Sequence, residues 1–290
     1  MKKIEISDFG LKCIAVICMI LDHAGEYFGL PIYFRYIGRL AAPIFIFCCV
    51  QGCIHTRDLK KYMFRLYIAS CIMSVFSTYS QTGVNFFRTL FSIALIIFVI
   101  EKYKETSRKR VWGYYILLQI GTSILCYLIG MNPWIHLEDV ASYSFPAVFG
   151  NLLALEGGVF YVIIGVWFYY ARDNVRKMAI GYVLIVSIFI FGMQSNPYFV
   201  YGIPRRLQAV PLLYIVFDII DTIFGNLYLC LGAYWYTEIK DNYQWMMIGA
   251  LPFLVMYNNK SGHKVKWFFY FFYPLHYILF WYLGKLWGFN

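Results

Sequence analysis

Apolar residues run along this chain in long blocks separated by short polar turns, with neither the strict alternation of a half-buried strand nor the narrow stripe of a surface helix. A helix rises about 1.5 Å per residue, so roughly 20 apolar residues cross the hydrocarbon of a bilayer. About ten blocks reach or approach that length, at 9–28, 38–54, 62–79, 84–100, 112–130, 147–170, 177–195, 208–236, 245–257 and 268–287. The pattern predicts an all-α protein, a polytopic transmembrane helical bundle of about ten membrane helices. No Pro/Ser-rich linker and no fixed-period repeat interrupts it, so residues 1–290 read as a single domain. The ninth block is short for a crossing, and a re-entrant path stays open for it.

Composition agrees: of 290 residues, 61% are hydrophobic and only 14% charged, against about one-quarter charged in soluble domains. The 25 Lys+Arg exceed the 15 Asp+Glu, giving a net charge of +10. In a soluble protein that excess would point to nucleic acid; here the bases sit in the turns between blocks, and none is expected to bind nucleic acid. Alternating the ten blocks from a cytoplasmic N-terminus puts most of them inside, which predicts a multi-pass protein of the cell membrane, surrounded by lipid, with both termini cytoplasmic. The N-terminus has basic residues before an apolar run but no small-x-small cleavage pattern, so the segment is expected to remain as a helix. The eight cysteines fall in or beside the blocks without metal-ligand spacing, and no metal is expected.

Ionisable groups inside such blocks cost roughly 2.5 to 3.5 kcal/mol each and need partners or a water-filled cavity. Several fall at similar depth on the predicted topology: Asp22, His23 and Glu26 near the outer end of the first block, Arg39 opening the second, Glu156 in the sixth, Asp218 and Asp221 on the eighth, and His276 on the tenth. Ion pairs such as Asp22 with Arg39 would lock helices together without chemistry. An imidazole with a carboxylate to orient it is the arrangement of a general base near neutral pH. Asp22 lies about 100° round the helix from His23, so the orienting partner could equally come from another helix. On the inner side, "HTRDLKKYMFRL" at 55–66 gathers His55, Arg57, Lys61 and Arg65 with aromatic Tyr62, a set suited to phosphates and an adenine ring, although a positive-inside loop has the same composition.

Four strings, "LKCIAVICMILDHAG" at 11–25, "RYIGRLAAPIFIF" at 35–47, "QGCIHTRDLKKYMFRL" at 51–66 and "MYNNKSGHKVKWFFYFFYPLH" at 256–276, together resemble the TraX family of membrane acetyltransferases, named for one that N-acetylates a conjugative pilin. The resemblance covers both ends of the chain, and it departs from the family pattern at Ala42, Gln51 and Asn259. It implies an acetyl-CoA-dependent acyltransferase that moves an acetyl group from cytosolic acetyl-CoA to an amine or hydroxyl at the outer side of the membrane, such as the N-terminus of a pilin-like or other peptide, or a small molecule. Asp22 and His23 match the first-helix motif, Arg35 and Arg39 the paired arginines, His55, Thr56, Arg57, Tyr62 and Arg65 the inner loop, and Tyr257, Asn258, Tyr273 and His276 the terminal motif. The expected duties are catalysis for His23, Asp22, Arg39 and His276, donor binding for His55, Arg57, Lys61, Tyr62 and Arg65, and acceptor binding for Arg35, Glu156, Tyr257, Asn258 and Tyr273. His23 would act as the base, with Arg39 or His276 stabilising the oxyanion. A proton-coupled membrane transporter and a non-catalytic membrane assembly factor are the rival readings, because buried Asp, Glu and His also build proton relays and fix helix register.

Overall fold

The structure, a computed structural model, describes residues 5–130, 138–152, 155–194, 242–263 and 265–288. Among these the chain is helical, with turns and an isolated parallel bridge between Ile6 and Tyr257. The eighth predicted block, with Asp218 and Asp221, lies outside the described residues. The helices are α1 (Asp8–Tyr27), α2 (Tyr33–Gly38), α3 (Ala41–His55), α4 (Leu59–Ser80), α5 (Phe86–Thr106), α6 (Arg110–Gly130), α7 (Phe145–Val148), α8 (Gly158–Tyr170), α9 (Val175–Ser187), α10 (Leu251–Val255) and α11 (Lys266–Leu286). Two of the predicted blocks are broken. The sixth is interrupted between α7 and α8, where Gly150 and Gly157 take positive φ, and the ninth is a 3-10 turn, Tyr243–Ala250, leading into α10.

Two stretches, Tyr33–His55 and Arg110–Gly130, are long and apolar enough to cross a membrane. On the second of these, α6, the side chains of Tyr114, Leu117, Tyr127 and Leu128 are all more than half exposed. An apolar helix that turns such residues outward is matched to lipid rather than water, and the protein is a membrane protein.

The chain divides into two compact units. One comprises Met1–Asp58, Trp167–Val183 and Tyr243–Asn290; the other comprises Leu59–Val166 and Leu184–Asn242. In the first unit α1 is the central element, touching α2, α3 and α11. It begins where Ser7 Oγ accepts from Gly10 N, and Asp8 pairs with Lys12 one turn on. Along α11 its partners ascend with its own numbering: Phe9 and Lys12 meet Phe269, His23 meets His276, Tyr27 meets Tyr277, and Phe28 meets Phe280 and Trp287. The first and last helices therefore run parallel.

That direction is opposite to the one the expected topology requires. Both termini on one face would need the first and last crossings to be antiparallel, whereas the end of α11 lies beside the C-terminal end of α1, at the opposite end from Asp8. The reversal is already present at the ninth block, which sequence reasoning carried from inside to outside. Tyr243 sits beside Arg35, whose partners are Asp22 and Glu26, and Tyr257 bridges to Ile6, so the segment descends antiparallel to α1. The longer 3-10 rise, about 2.0 Å per residue, lets so short a stretch cover the length between them. Its end is tied down by backbone hydrogen bonds from Ile6 N to Met256 O, Asn258 N to Ile6 O, Asp8 N to Lys260 O and Phe9 N to Ser261 O.

In the second unit, α4 and α5 share a polar seam. Ser70, Ser74 and Ser77 on one helix and Arg88, Thr89 and Ser92 on the other are almost fully buried, and Asn85 caps α5 while its side chain donates to Ser70 O at 2.9 Å. Asn151 is a second hub, donating to Thr122 Oγ1 at 2.7 Å and to Ser123 Oγ at 2.8 Å. Small polar residues let helices approach closely and hold them together where apolar surface gives no preference for protein over lipid.

Candidate active site

Residues 22–27 on α1 carry two adjoining clusters. Asp22 points towards the α2–α3 corner, where its Oδ2 accepts from Arg39 Nη2 and its Oδ1 lies 3.3 Å from Arg35 Nη1. Arg35 also donates to the Asp22 backbone carbonyl at 3.1 Å and to Glu26 Oε2 at 2.6 Å. The ring of Tyr243 lies under both guanidinium groups, at 5.2 and 5.1 Å, and its hydroxyl accepts from Arg35 at 3.4 Å. Gly38 lets the corner approach, because a β-carbon there would fall on the Asp22 side chain. Two carboxylates and two guanidinium groups thus neutralise one another at the C-terminal end of α1, the condition for keeping them in a membrane protein.

His23, one residue on, faces α11. Its Nδ1 lies 2.8 Å from His276 Nε2, with the ring planes nearly parallel at 9°. His276 Nδ1 lies 2.9 Å from the carbonyl of Phe272. A carbonyl only accepts, so His276 Nδ1 carries a proton and, in the neutral ring, its Nε2 is a bare acceptor. His23 Nδ1 must then donate to it, which leaves the unprotonated lone pair of the neutral pair on His23 Nε2. The two rings are 7% and 6% exposed, and Phe272 stacks on His276 at 5.2 Å. Pro274, inside α11, removes a backbone donor just before His276.

These contacts reassign the expected partners. Asp22 does not orient His23: both of its oxygens face arginines, and the orienting group is His276. Arg39 holds Asp22 rather than standing over the imidazole. Arg35 belongs to the same ion cluster, and Tyr273 is buried one turn before His276, with ring centroids 5.8 Å apart. Tyr257 and Asn258, expected beside the acceptor, lie instead against residues 5–8, about 20 Å along α1 from His23 at 1.5 Å per residue. His55 ends α3 with its Nδ1 donating to Gln51 O at 2.9 Å, and Arg57 follows it exposed. Lys61, Tyr62, Arg65 and Glu156 belong to the second unit, where Arg65 lies over the Tyr62 ring at 5.5 Å and the Glu156 carbonyl accepts from Thr89. Sequence reasoning missed Tyr243, Tyr27 and Tyr277. Tyr27 O–H donates to Tyr277 OH at 2.5 Å, directly beside the imidazole pair. The signal for the latter two was present, since Tyr27 is one turn from His23 and Tyr277 adjoins His276, but aromatic residues are too common here to single them out.

The family model described as TraX protein matches residues 8–284. A protein of Dichelobacter nodosus named probable fimbrial assembly protein FimC, serogroup H1, is 34% identical over 112 residues, covering 33% of this chain and 46% of that relative, so the chain spans less than half of the relative's length. No solved structure matches. The family match takes in both His23 and His276, the two ends of the chain that the fold brings together, and the chain belongs to the TraX family.

Proposed function

We propose that this protein is a multi-pass acyltransferase of the cell membrane that moves an acetyl group from cytosolic acetyl-CoA to an amine or hydroxyl presented at the outer side. The observation that carries the reading is the Phe272–His276–His23 chain of close contacts, whose tautomer, inferred from the Phe272 carbonyl, would leave His23 Nε2 as the base. When that nitrogen takes a proton, the imidazolium keeps donating through Nδ1 to His276, whose own N–H is anchored on a carbonyl. A second imidazole thus does for His23 what a carboxylate does in a Ser-His-Asp triad: it fixes the tautomer and supports the charge. Direct attack of the acceptor and a two-step route through acetyl-imidazole both use that one nitrogen.

For the donor, His55 and Arg57 of the first unit offer polar and cationic side chains to the nucleotide phosphates. His55 and Arg57 end α3, which runs back from the Asp22 layer towards the face where α1 begins. For the acceptor, the relative's name, with its reference to fimbrial assembly, favours a pilin-like peptide. Purified protein supplied with radiolabelled acetyl-CoA is expected to release CoA slowly and to pass label to an acceptor, with a mass gain of about 42 Da per acetyl group. His23→Ala should remove both activities while retaining CoA binding. Near-normal turnover in that variant would remove the assignment of the base, and a wild-type protein that neither hydrolyses nor transfers would favour the carrier or scaffold readings.

A further inference from the structure

We propose that Tyr277 is a further catalytic residue, its hydroxyl donating a hydrogen bond to the acyl oxygen as the acceptor attacks, with Tyr27 as the positioning residue behind it; this rests on the acyltransferase reading above. Arg39, the donor expected from sequence, is engaged with Asp22, so the oxyanion needs another hydrogen-bond donor beside His23. Such a donor works best when it is fixed in place and shielded from water before the reaction begins. Tyr277 is 0% exposed, its ring meets the His23 ring edge-on at 5.2 Å and 72°, and its hydroxyl oxygen is held by Tyr27 O–H at 2.5 Å. Tyr27 is itself only 5% exposed, and its ring lies 6.5 Å from that of His23. A hydrogen bond received at the Tyr277 oxygen polarises its own O–H and makes it a stronger donor. Phenylalanine would fill nearly the same volume at both positions without a polar atom to bury, so packing does not explain the two hydroxyls.

In the step, the acceptor heteroatom bonds to the thioester carbon as its proton passes to His23 Nε2. The carbonyl electron pair moves onto oxygen, where Tyr277 O–H holds it. The pair then returns, the C–S bond breaks, and the departing CoA sulfur takes the proton from His23. No proton leaves either tyrosine, and no oxidant or reductant is needed.

The test uses the full chain in detergent or nanodiscs, acetyl-CoA as donor, and hydroxylamine as a small probe acceptor, with rates expressed per CoA-binding site so that unfolded molecules are not counted. Tyr277→Phe should lower kcat about 100-fold with the KM for acetyl-CoA within about twofold. Tyr27→Phe, which removes only the polarising bond, should lower kcat about tenfold. If the pair merely ties α1 to α11, both variants will lose thermal stability and keep kcat per site, and that outcome overturns the proposal. A loss confined to KM overturns it as well. Wild-type protein that releases no CoA removes the acyltransferase reading together with this one, whereas active wild type with equally active Tyr277→Phe removes this one alone.

Discussion

At the scale of residues, the site separates charge from chemistry. Asp22 and His23 are neighbours in sequence but lie on different sides of α1, so the carboxylate meets arginines and the imidazole meets another imidazole. The two therefore fail differently when altered. Asp22→Ala would remove the carboxylate shared by Arg35 and Arg39, with side chains 15% and 14% exposed, and should destabilise the protein by about 3 kcal/mol, measured as a lower midpoint of thermal unfolding in detergent. His276→Phe keeps an aromatic ring at the same place and removes the acceptor that holds the His23 tautomer; kcat should fall about 10³-fold with CoA binding intact, and a fall below threefold would show that His23 needs no such partner. Arg57→Ala should chiefly raise the KM for acetyl-CoA, and donor saturation identical to wild type would detach Arg57 from the nucleotide.

At the scale of elements, the decisive feature is a corner and a pair. The α2–α3 corner delivers two arginines to one carboxylate because Gly38 leaves room for the Asp22 side chain. Gly38→Ala puts a methyl group into occupied space and should cost about 1–3 kcal/mol of stability, read from thermal unfolding; an unchanged midpoint would mean that the corner can back away. The parallel pair of α1 and α11 sets the site's register, placing the imidazole contact one helical turn below the tyrosine contact on α1. Helix lengths and most helix positions were legible in the sequence, since apolar blocks longer than about 17 residues have few other solutions. The breaks were not. Gly150 and Gly157 interrupt the sixth block and a 3-10 turn opens the ninth, and hydropathy averaged over a window is blind to both.

At the scale of the whole molecule, parallel α1 and α11 carry a topological consequence. With Lys2, Lys3 and Lys12 favouring a cytoplasmic start for α1, a parallel α11 that crosses the membrane is expected to end at the outer face. A single reporter thiol, Gly288→Cys in a cysteine-free background, should react with a membrane-impermeant maleimide added to intact cells; labelling only after permeabilisation would restore the antiparallel arrangement. The charge bias pointed the other way because it sums over all loops, and one miscounted crossing moves every later loop across the membrane.

From the order of its residues alone, this chain was determined to be helical and membrane-embedded, a member of its family, and the owner of expensive polar groups at both ends. Those properties follow from local composition, from block length and from short motifs, none of which needs a contact between distant residues. The partner of each group was decided only by the tertiary structure: His276 rather than Asp22 for His23, Asp22 rather than an acyl oxygen for Arg39, and the face of α1's first turn rather than the acceptor for Tyr257. Each of these depends on the direction of a helix and on its rotation about its own axis. In a chain whose helices are apolar nearly all round, only packing against neighbours sets that direction and rotation.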